Sequence, residues 1–106
     1  MTEFLQIATS VGSGQEAEAI AEALVQRRLA GCVQIVGPVQ SVYRWQGAVE
    51  RAEEWLCVAK TTKGKYAGVE DAIRELHSYE CPEIIATEIA AGNADYLQWL
   101  AGQVGQ

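Results

Sequence analysis

The chain's most reactive residue types are concentrated in nine positions. His77 to Ile85 hold its only histidine, one of its three cysteines (Cys81), one of its two prolines and the carboxylate of Glu83. Thiolate and imidazole suit copper and zinc, and copper binds most tightly among divalent first-row ions. His77, Cys81 and Glu83 therefore form a candidate site for copper or another divalent metal ion, which Cys32 would join through the fold or from a neighbouring copy. The stretch has neither Cys-x-x-Cys nor His-x-x-x-His spacing, so the residue types alone favour a histidine that only hydrogen-bonds at a helix C-terminus.

The three cysteines are odd in number and widely spaced, which indicates reduced thiols in a cytosol. Cys32 and Cys57 lie in apolar strand patterns, so we expect both to be small buried hydrophobes. Cys81 precedes a proline in a predicted loop and is expected to be exposed. The first residues show no pattern of a secretory signal, and no apolar run approaches the roughly 20 residues that cross a bilayer. We therefore expect a cytoplasmic protein that does not bind a membrane.

Length and charge limit the remaining classes. The 106 residues are enough for one domain, spanning 1–106, with a core that needs no disulfides. Eight basic and fourteen acidic residues give a net charge of −6. Nucleic acid is therefore excluded as an expected partner, because its binding depends on neutralising phosphates.

The first third of the chain predicts a strand and a helix. Residues 4–11 are apolar and form the first strand. Ser13 and Glu16 have the spacing of a capping box, in which each side chain bonds the other residue's amide. The arginines at 27–28 are expected in the last helical turn, and Gly31 just beyond the helix end.

A long hairpin is predicted next. Residues 32–36 and 39–45 read as one strand interrupted at Gly37-Pro38, because proline cannot donate to a ladder. Gln46-Gly47 supplies the turn into a third strand over residues 48–61.

The last part of the chain predicts a helix, a strand and a helix. Thr61 or Thr62 is expected to cap a helix whose apolar residues recur every three or four positions between 66 and 76. Residues 83–89 read as a fourth strand, and Asn93 is expected to cap a C-terminal helix. The order β-α-β-β-α-β plus a helix predicts an α+β, ferredoxin-like antiparallel sheet with two helices on one face.

Two helices leave the second face of such a sheet uncovered, although its strands are apolar on both faces. The C-terminal helix or a neighbouring copy must bury that face. The hairpin is also longer than a compact domain needs, and an overhanging edge favours pairing with another chain. The sequence therefore predicts a homo-oligomer.

Five segments in the same order give the chain a resemblance to the CutA divalent-ion tolerance family. The resemblance implies a ferredoxin-like subunit, a tight homotrimer, a connection with copper and other divalent ions, and an architecture like that of the PII signalling proteins. The segments are Ala30-Gly-Cys-Val-Gln-Ile35, Ser41-Val-Tyr-Arg-Trp-Gln-Gly47, Lys60-Thr61, His77-Ser-Tyr79 with Pro82-Glu-Ile84, and Asp95-Tyr-Leu-Gln-Trp99.

The resemblance also implies a cleft between subunits, lined by Tyr43, Trp45, Lys60 and Tyr79. Aromatic walls with a few polar groups are typical of small-molecule sites, and Lys60 with Arg44 would hold an anion there. The alternative is that the aromatic residues are anchors of a subunit interface, where such residues are enriched.

We therefore expect a cytosolic homotrimer that serves tolerance of, or response to, divalent metal ions by binding them, copper first. The alternative is a PII-like sensor that binds a small anion and signals to an unknown protein partner. A third possibility is a mainly structural assembly. Enzymatic activity is not expected, because no third group orients the pairs that His77 would form with Glu83 or Cys81.

Overall fold

One four-stranded antiparallel sheet, in the order β2-β3-β1-β4, organises the molecule. The structure is a computed structural model that describes residues 3–105. The predicted single domain extends beyond this range by Met1, Thr2 and Gln106, which lie outside the described residues. The elements are β1 (Phe4–Val11), α1 (Gly14–Gln26), β2 (Cys32–Trp45), β3 (Ala48–Thr62), α2 (Tyr66–Leu76), β4 (Ile84–Glu88) and α3 (Ala94–Gln103).

Helices α1 and α2 pack on one face of the sheet and form the core with it. Ile7 of β1 is fully buried there against Ile20 and Leu24 of α1 and Val69 and Ile73 of α2. The helical spacing of these apolar positions places them on the faces that meet the sheet. The ferredoxin-like order and the two helix stripes are confirmed.

The opposite face, which we call the open face, remains accessible. Ala8, Val58 and Ile85 are aligned across three strands on this face. Ile85 is 53% exposed and Val36, on the same face, is 48% exposed. Within residues 3–105, therefore, the C-terminal helix does not bury the whole second face.

The β2–β3 hairpin extends beyond the body of the sheet, and the molecule measures 45 × 25 × 21 Å. Gln46 and Gly47 both have positive φ angles, 51° and 83°, as the tight turn of a two-residue hairpin requires. The predicted interruption at residues 37–38 is a shift in register between Val36 and Val39, inside one continuous strand. Pairing resumes after the shift, so proline displaces the ladder locally without ending it.

Three local predictions about helix ends are wrong. Helix α1 ends at Gln26, before the arginines, and Arg28 rather than Gly31 has the positive φ angle, 58°. Gly31 is instead required for packing, since a Cβ there would lie 2.6 Å from the side chain of Leu100 in α3. Neither Thr61 nor Thr62 caps α2; a 3-10 turn, Lys63–Lys65, intervenes, and the Thr61 hydroxyl donates to the Leu29 carbonyl (2.7 Å).

The last helix begins as predicted. The Asn93 side chain accepts a hydrogen bond from the Tyr96 amide at 3.0 Å. None of the helices within residues 3–105 has the length and apolar character needed to cross a bilayer.

Candidate functional site

A cleft of about 650 Å³ lies where the overhanging hairpin meets the loop between α2 and β4. The hairpin supplies one wall and the loop supplies the other, so the cleft depends on tertiary packing. Its lining comprises three aromatic residues, three carboxylates, one thiol, two hydroxyls and one valine. These are Tyr43, Trp45, Tyr79, Glu54, Glu80, Glu83, Cys81, Ser10, Ser41 and Val42.

The charge of this cleft has one sign. Glu54, Glu80 and Glu83 contribute carboxylates, and no lysine, arginine or histidine belongs to the lining among the described residues. Low-dielectric walls around charges of one sign concentrate counter-ions. The cleft therefore favours cations and disfavours anions.

Glu54 is the buried acid of the cleft. The residue is only 7% exposed, and the Tyr79 hydroxyl donates to its Oε2 at 2.9 Å. Within residues 3–105 its carboxylate forms no salt bridge and no other hydrogen bond. Burial, followed by the hydrogen bond to Glu54 and the negative charges nearby, raises the pKa of Tyr79 to about 12. The tyrosine hydroxyl thus remains a donor over the whole neutral range.

Tyr79 is held from behind by His77. The His77 side chain is fully buried at the C-terminal end of α2, with Nε2 2.8 Å from the carbonyl oxygen of Ser10. Because a carbonyl can only accept, Nε2 carries the proton, and Nδ1 accepts from the Tyr79 amide at 3.1 Å. Both ring nitrogens are therefore occupied, and a metal ion would have to displace one of these bonds. This geometry fits a histidine that hydrogen-bonds at the end of a helix, which was the alternative to a metal ligand.

Glu16 and Gly12 also help to position the loop between α2 and β4. The Glu16 carboxylate accepts from the amide (2.8 Å) and the hydroxyl (3.1 Å) of Ser78. Half of the predicted capping box is confirmed, because the Ser13 hydroxyl accepts from the Glu16 amide at 3.1 Å. The other half is wrong, because the Glu16 side chain points to the loop. Gly12 leaves room for Tyr79, whose hydroxyl oxygen would lie 3.3 Å from a Cβ there.

The three thiols occupy different environments. Cys57 is 1% exposed, its thiol donates to the Ala17 carbonyl (3.4 Å), and burial, with Glu16 as a smaller cause, raises its pKa to about 11. Cys81 is exposed, as predicted, and lines the cleft. Cys32 is only partly buried, because β2 is an edge strand and its face is open.

The predicted metal ligands do not converge within one subunit. Cys81 and Glu83 share the cleft, and His77 lies behind it. Cys32 pairs in register with Lys60, which is six residues along β3 from Glu54, or about 20 Å at the rise of a strand. Among residues 3–105 no three His, Cys, Asp or Glu side chains are grouped closely enough to hold a metal ion.

Three of the four residues predicted to line a ligand-binding cleft do line this one, and Lys60 does not. Tyr43, Trp45 and Tyr79 line the cleft, whereas the Lys60 ammonium donates to the Gln34 side chain at 2.9 Å. The separation along β3 places Lys60 at the other end of the open face, so it does not line this cleft within one subunit, and its place in a cleft between subunits stays a prediction.

Comparison with known proteins connects this fold to a family. The family model "CutA1 divalent ion tolerance protein" matches residues 5–103. A divalent-cation tolerance protein CutA of Thermus thermophilus is 45% identical over 96 residues, which cover 91% of this chain and 93% of that protein. The chain belongs to the CutA1 divalent ion tolerance family. The resemblance given by its five segments is thus confirmed.

Solved CutA structures have the same fold. The CutA1 structure from Oryza sativa has a TM-score of 0.96 and 30% identity, covering 98% of this chain and 95% of that one. A structure described as the periplasmic divalent cation tolerance protein CutA, from Archaeoglobus fulgidus, has a TM-score of 0.92 and 37% identity, covering 99% and 100%. The ferredoxin-like CutA1 subunit predicted from the sequence is confirmed by these matches.

Sequence reasoning missed Glu54 in this CutA1 chain. It belongs to the acidic run Glu50, Glu53 and Glu54, which resembles a solvated strand. The burial of Glu54 could have been suspected from the alternation of side chains along β3, which puts Glu54 on the same face as the apolar Leu56 and Val58.

Proposed function

We propose that this protein serves divalent-cation tolerance by binding a divalent metal ion, copper first, as a cytoplasmic homotrimer. The observation that carries the proposal is the cleft, which both the thiol of Cys81 and the carboxylate of Glu83 line, with no basic residue beside them in the described part of the chain. Thiolate and carboxylate can both ligate divalent ions, and thiolate favours copper and zinc. The mechanism is binding without turnover.

A second copy of the chain is part of the proposal. One subunit offers no group of three ligand residues among those described. It also exposes apolar side chains on its open face, Ile85 and Val36 among them. Association of copies through this face buries that surface and brings further ligands to Cys81 and Glu83.

The anion-sensing alternative has less support. Its expected basic group, Lys60, is bonded to Gln34 and lies outside the cleft, and the cleft itself carries carboxylates. A small anion would be repelled at this place.

Equilibrium dialysis against Cu(II), and in parallel against the redox-inactive Zn(II), tests the metal proposal. We expect Cys81→Ser and Glu83→Gln each to lower affinity by about tenfold or more, because each removes one ligand. Cys32→Ser tests whether Cys32 is one of the ligands that another copy supplies, and Glu53→Gln, an exposed acid outside the cleft lining, is the matched control that leaves both affinities unchanged. His77→Ala is measured beside them, and its effect is expected only through the position of Tyr79.

Equal affinity in wild type, Cys81→Ser and Glu83→Gln would remove the cleft as the metal site. Loss of binding in Cys32→Ser alone would move the site to the other end of the open face.

A further inference from the structure

We propose that His77 is a pH-sensitive switch: when its imidazole takes up a proton at Nδ1, it releases the backbone of residues 78–79 and pairs with Glu16. The proton comes from solvent, and only hydrogen bonds are made and broken. This inference goes beyond the proposed metal function and does not depend on it. The atoms of the switch belong to one subunit, and the His77 side chain has no exposed surface, so the contacts do not depend on what covers the open face.

The hydrogen bonds of the neutral ring determine where a second proton can be added. Nε2 donates to the carbonyl oxygen of Ser10 at 2.8 Å, and Nδ1 accepts from the Tyr79 amide at 3.1 Å. Because Nε2 already carries a proton, the imidazolium forms by protonation of Nδ1. Its new N–H points at the Tyr79 N–H, and two donors cannot bond to each other. Protonation of His77 therefore breaks the hydrogen bond that holds the Tyr79 amide.

The Glu16 carboxylate is the acceptor that lies beside the new N–H. Its Oε2 is 3.7 Å from Nδ1, just beyond hydrogen-bond distance. A movement of about 1 Å forms a charge-assisted bond, whose length is about 2.7–2.9 Å. The same carboxylate accepts from the amide and the hydroxyl of Ser78, at 2.8 and 3.1 Å. The new ion pair thus draws Glu16 from Ser78 while the Tyr79 amide loses its acceptor.

The other titratable groups near His77 have partners of their own. The Tyr79 ring centroid lies 4.7 Å from that of the imidazole, and its hydroxyl donates to Glu54. From β3, the Cys57 thiol donates to a carbonyl of α1, and Glu83, just before β4, accepts from a hydroxyl of β1 at 3.4 Å. The arginines at the ends of α1 and α2 form surface ion pairs with other glutamates. Among residues 3–105, the carboxylate that approaches a ring nitrogen of His77 is that of Glu16.

The direction of the switch follows from these bonds. Histidine is the side chain whose charge ordinarily changes between about pH 5 and 8. The bonds that hold residues 78–79 are present above this range and are lost as pH falls through it. The release reaches the cleft through Tyr79, whose hydroxyl donates to Glu54 at 2.9 Å.

Nuclear magnetic resonance of chelator-treated protein labelled with 15N-tyrosine tests the proposal. The chain has four tyrosines, and Tyr79→Phe assigns the Tyr79 amide signal. We expect this amide proton to move upfield as pH falls from about 8 to about 5, because it loses its hydrogen bond. The Tyr66 amide, which donates to the Lys63 carbonyl at the start of α2, is expected to keep its position.

Two glutamine variants separate the ion pair from general charge effects. Glu16→Gln keeps the shape of the acceptor and removes its charge, so the imidazolium loses its counter-charge. We expect the midpoint of the Tyr79 transition to move to lower pH by at least about one unit. Glu18→Gln, an exposed acid of the same helix, is the matched control and leaves the midpoint unchanged. His77→Gln removes the titrating ring and is expected to abolish the transition.

Three results would overturn the proposal. The first is a Tyr79 amide that does not move over this pH range, and the second is an equal midpoint in wild type and Glu16→Gln. The third is movement of all four tyrosine amides together, which would indicate unfolding or dissociation. The metal function fails separately, because absence of Cu(II) or Zn(II) binding leaves the titration of the Tyr79 amide as it is.

Discussion

The two faces of the sheet differ in what covers them within one subunit. On the helix-covered face, Ile7 and Cys57 are almost fully buried among apolar neighbours of the same subunit. On the open face, Ile85 and Trp45 are about half exposed, and two buried polar residues, Ser10 and Glu54, line a cleft. The covered face stabilises the fold, and the open face is available for other molecules.

The largest expected effect is on the covered face. Ile7→Ala removes a fully buried side chain and leaves a cavity, so we expect the free energy of unfolding to fall by about 2–5 kcal/mol. Denaturant unfolding at several protein concentrations measures this loss, which is expected to be the same at each. The comparison variant is Ile85→Ala on the open face, whose cost is expected to decrease on dilution. A small loss of unfolding free energy in Ile7→Ala would contradict this difference between the faces. So would a loss in Ile85→Ala that does not depend on protein concentration.

The second effect concerns association. Ile85→Asp puts a charge among the exposed apolar residues of the open face, and we expect sedimentation velocity to show the proposed trimer replaced by monomer at micromolar concentration. Val25→Asp introduces the same charge at an exposed position of α1 and is expected to leave the sedimentation coefficient unchanged. A trimer that survives Ile85→Asp would mean that copies meet elsewhere.

The third effect separates two thiols. Cys57 has a pKa raised to about 11 and almost no exposure, whereas Cys81 is exposed in the cleft. Because the thiolate is the reactive form, we expect native protein at pH 8 to label rapidly at Cys81 and at least about a hundredfold more slowly at Cys57. Cys81→Ser should abolish the fast phase, with Cys57→Ser as the control that keeps it.

The smallest effect is the alkaline titration of Tyr79. Its folded pKa of about 12 exceeds the ordinary value of 10.0, so the folded state holds the proton more tightly. The resulting stability is present below pH 10 and is lost as pH rises from about 10 to about 12. The pKa values of Tyr66 and Tyr96 are also raised, chiefly by burial, so ultraviolet titration should show several late phenols, of which the latest disappears in Tyr79→Phe.

Glu54→Gln sharpens this measurement. It removes the carboxylate that accepts from Tyr79, and we expect the late pKa to fall only partway, because burial is the larger cause. Titration of every tyrosine near pH 10, with folded structure shown by circular dichroism, would contradict the assignment.

Elements with strong local patterns could be predicted from the sequence. Ser13 and Asn93 cap their helices because a short polar side chain reaches amides two or three residues ahead. The hairpin turn could be predicted from Gly47, since glycine adopts the positive φ angle of such a turn at little cost. Exposure of Cys81 followed from its position beside a proline in a loop.

Features that depend on distant residues were missed or misplaced. Glu16 was expected to bond its own helix, but the approach of the 77–79 loop offers it Ser78 instead. Lys60 and Cys32 lie at the other end of the open face from the residues with which they were grouped, because residue types carry no information about which end of a strand they occupy; their roles between subunits stay predictions.

The sequence by itself determined the elements, their order and the apolar stripes, since these depend on periodicities of two and of 3.6 residues. It also determined that one sheet face would lack cover. Only the tertiary structure decided which acid is buried. Glu53 and Glu54 are the same residue type on opposite faces of β3, and Glu54 faces a cleft in which Tyr79 bonds it. The physical reason is that burial and pairing depend on what distant segments place beside a residue.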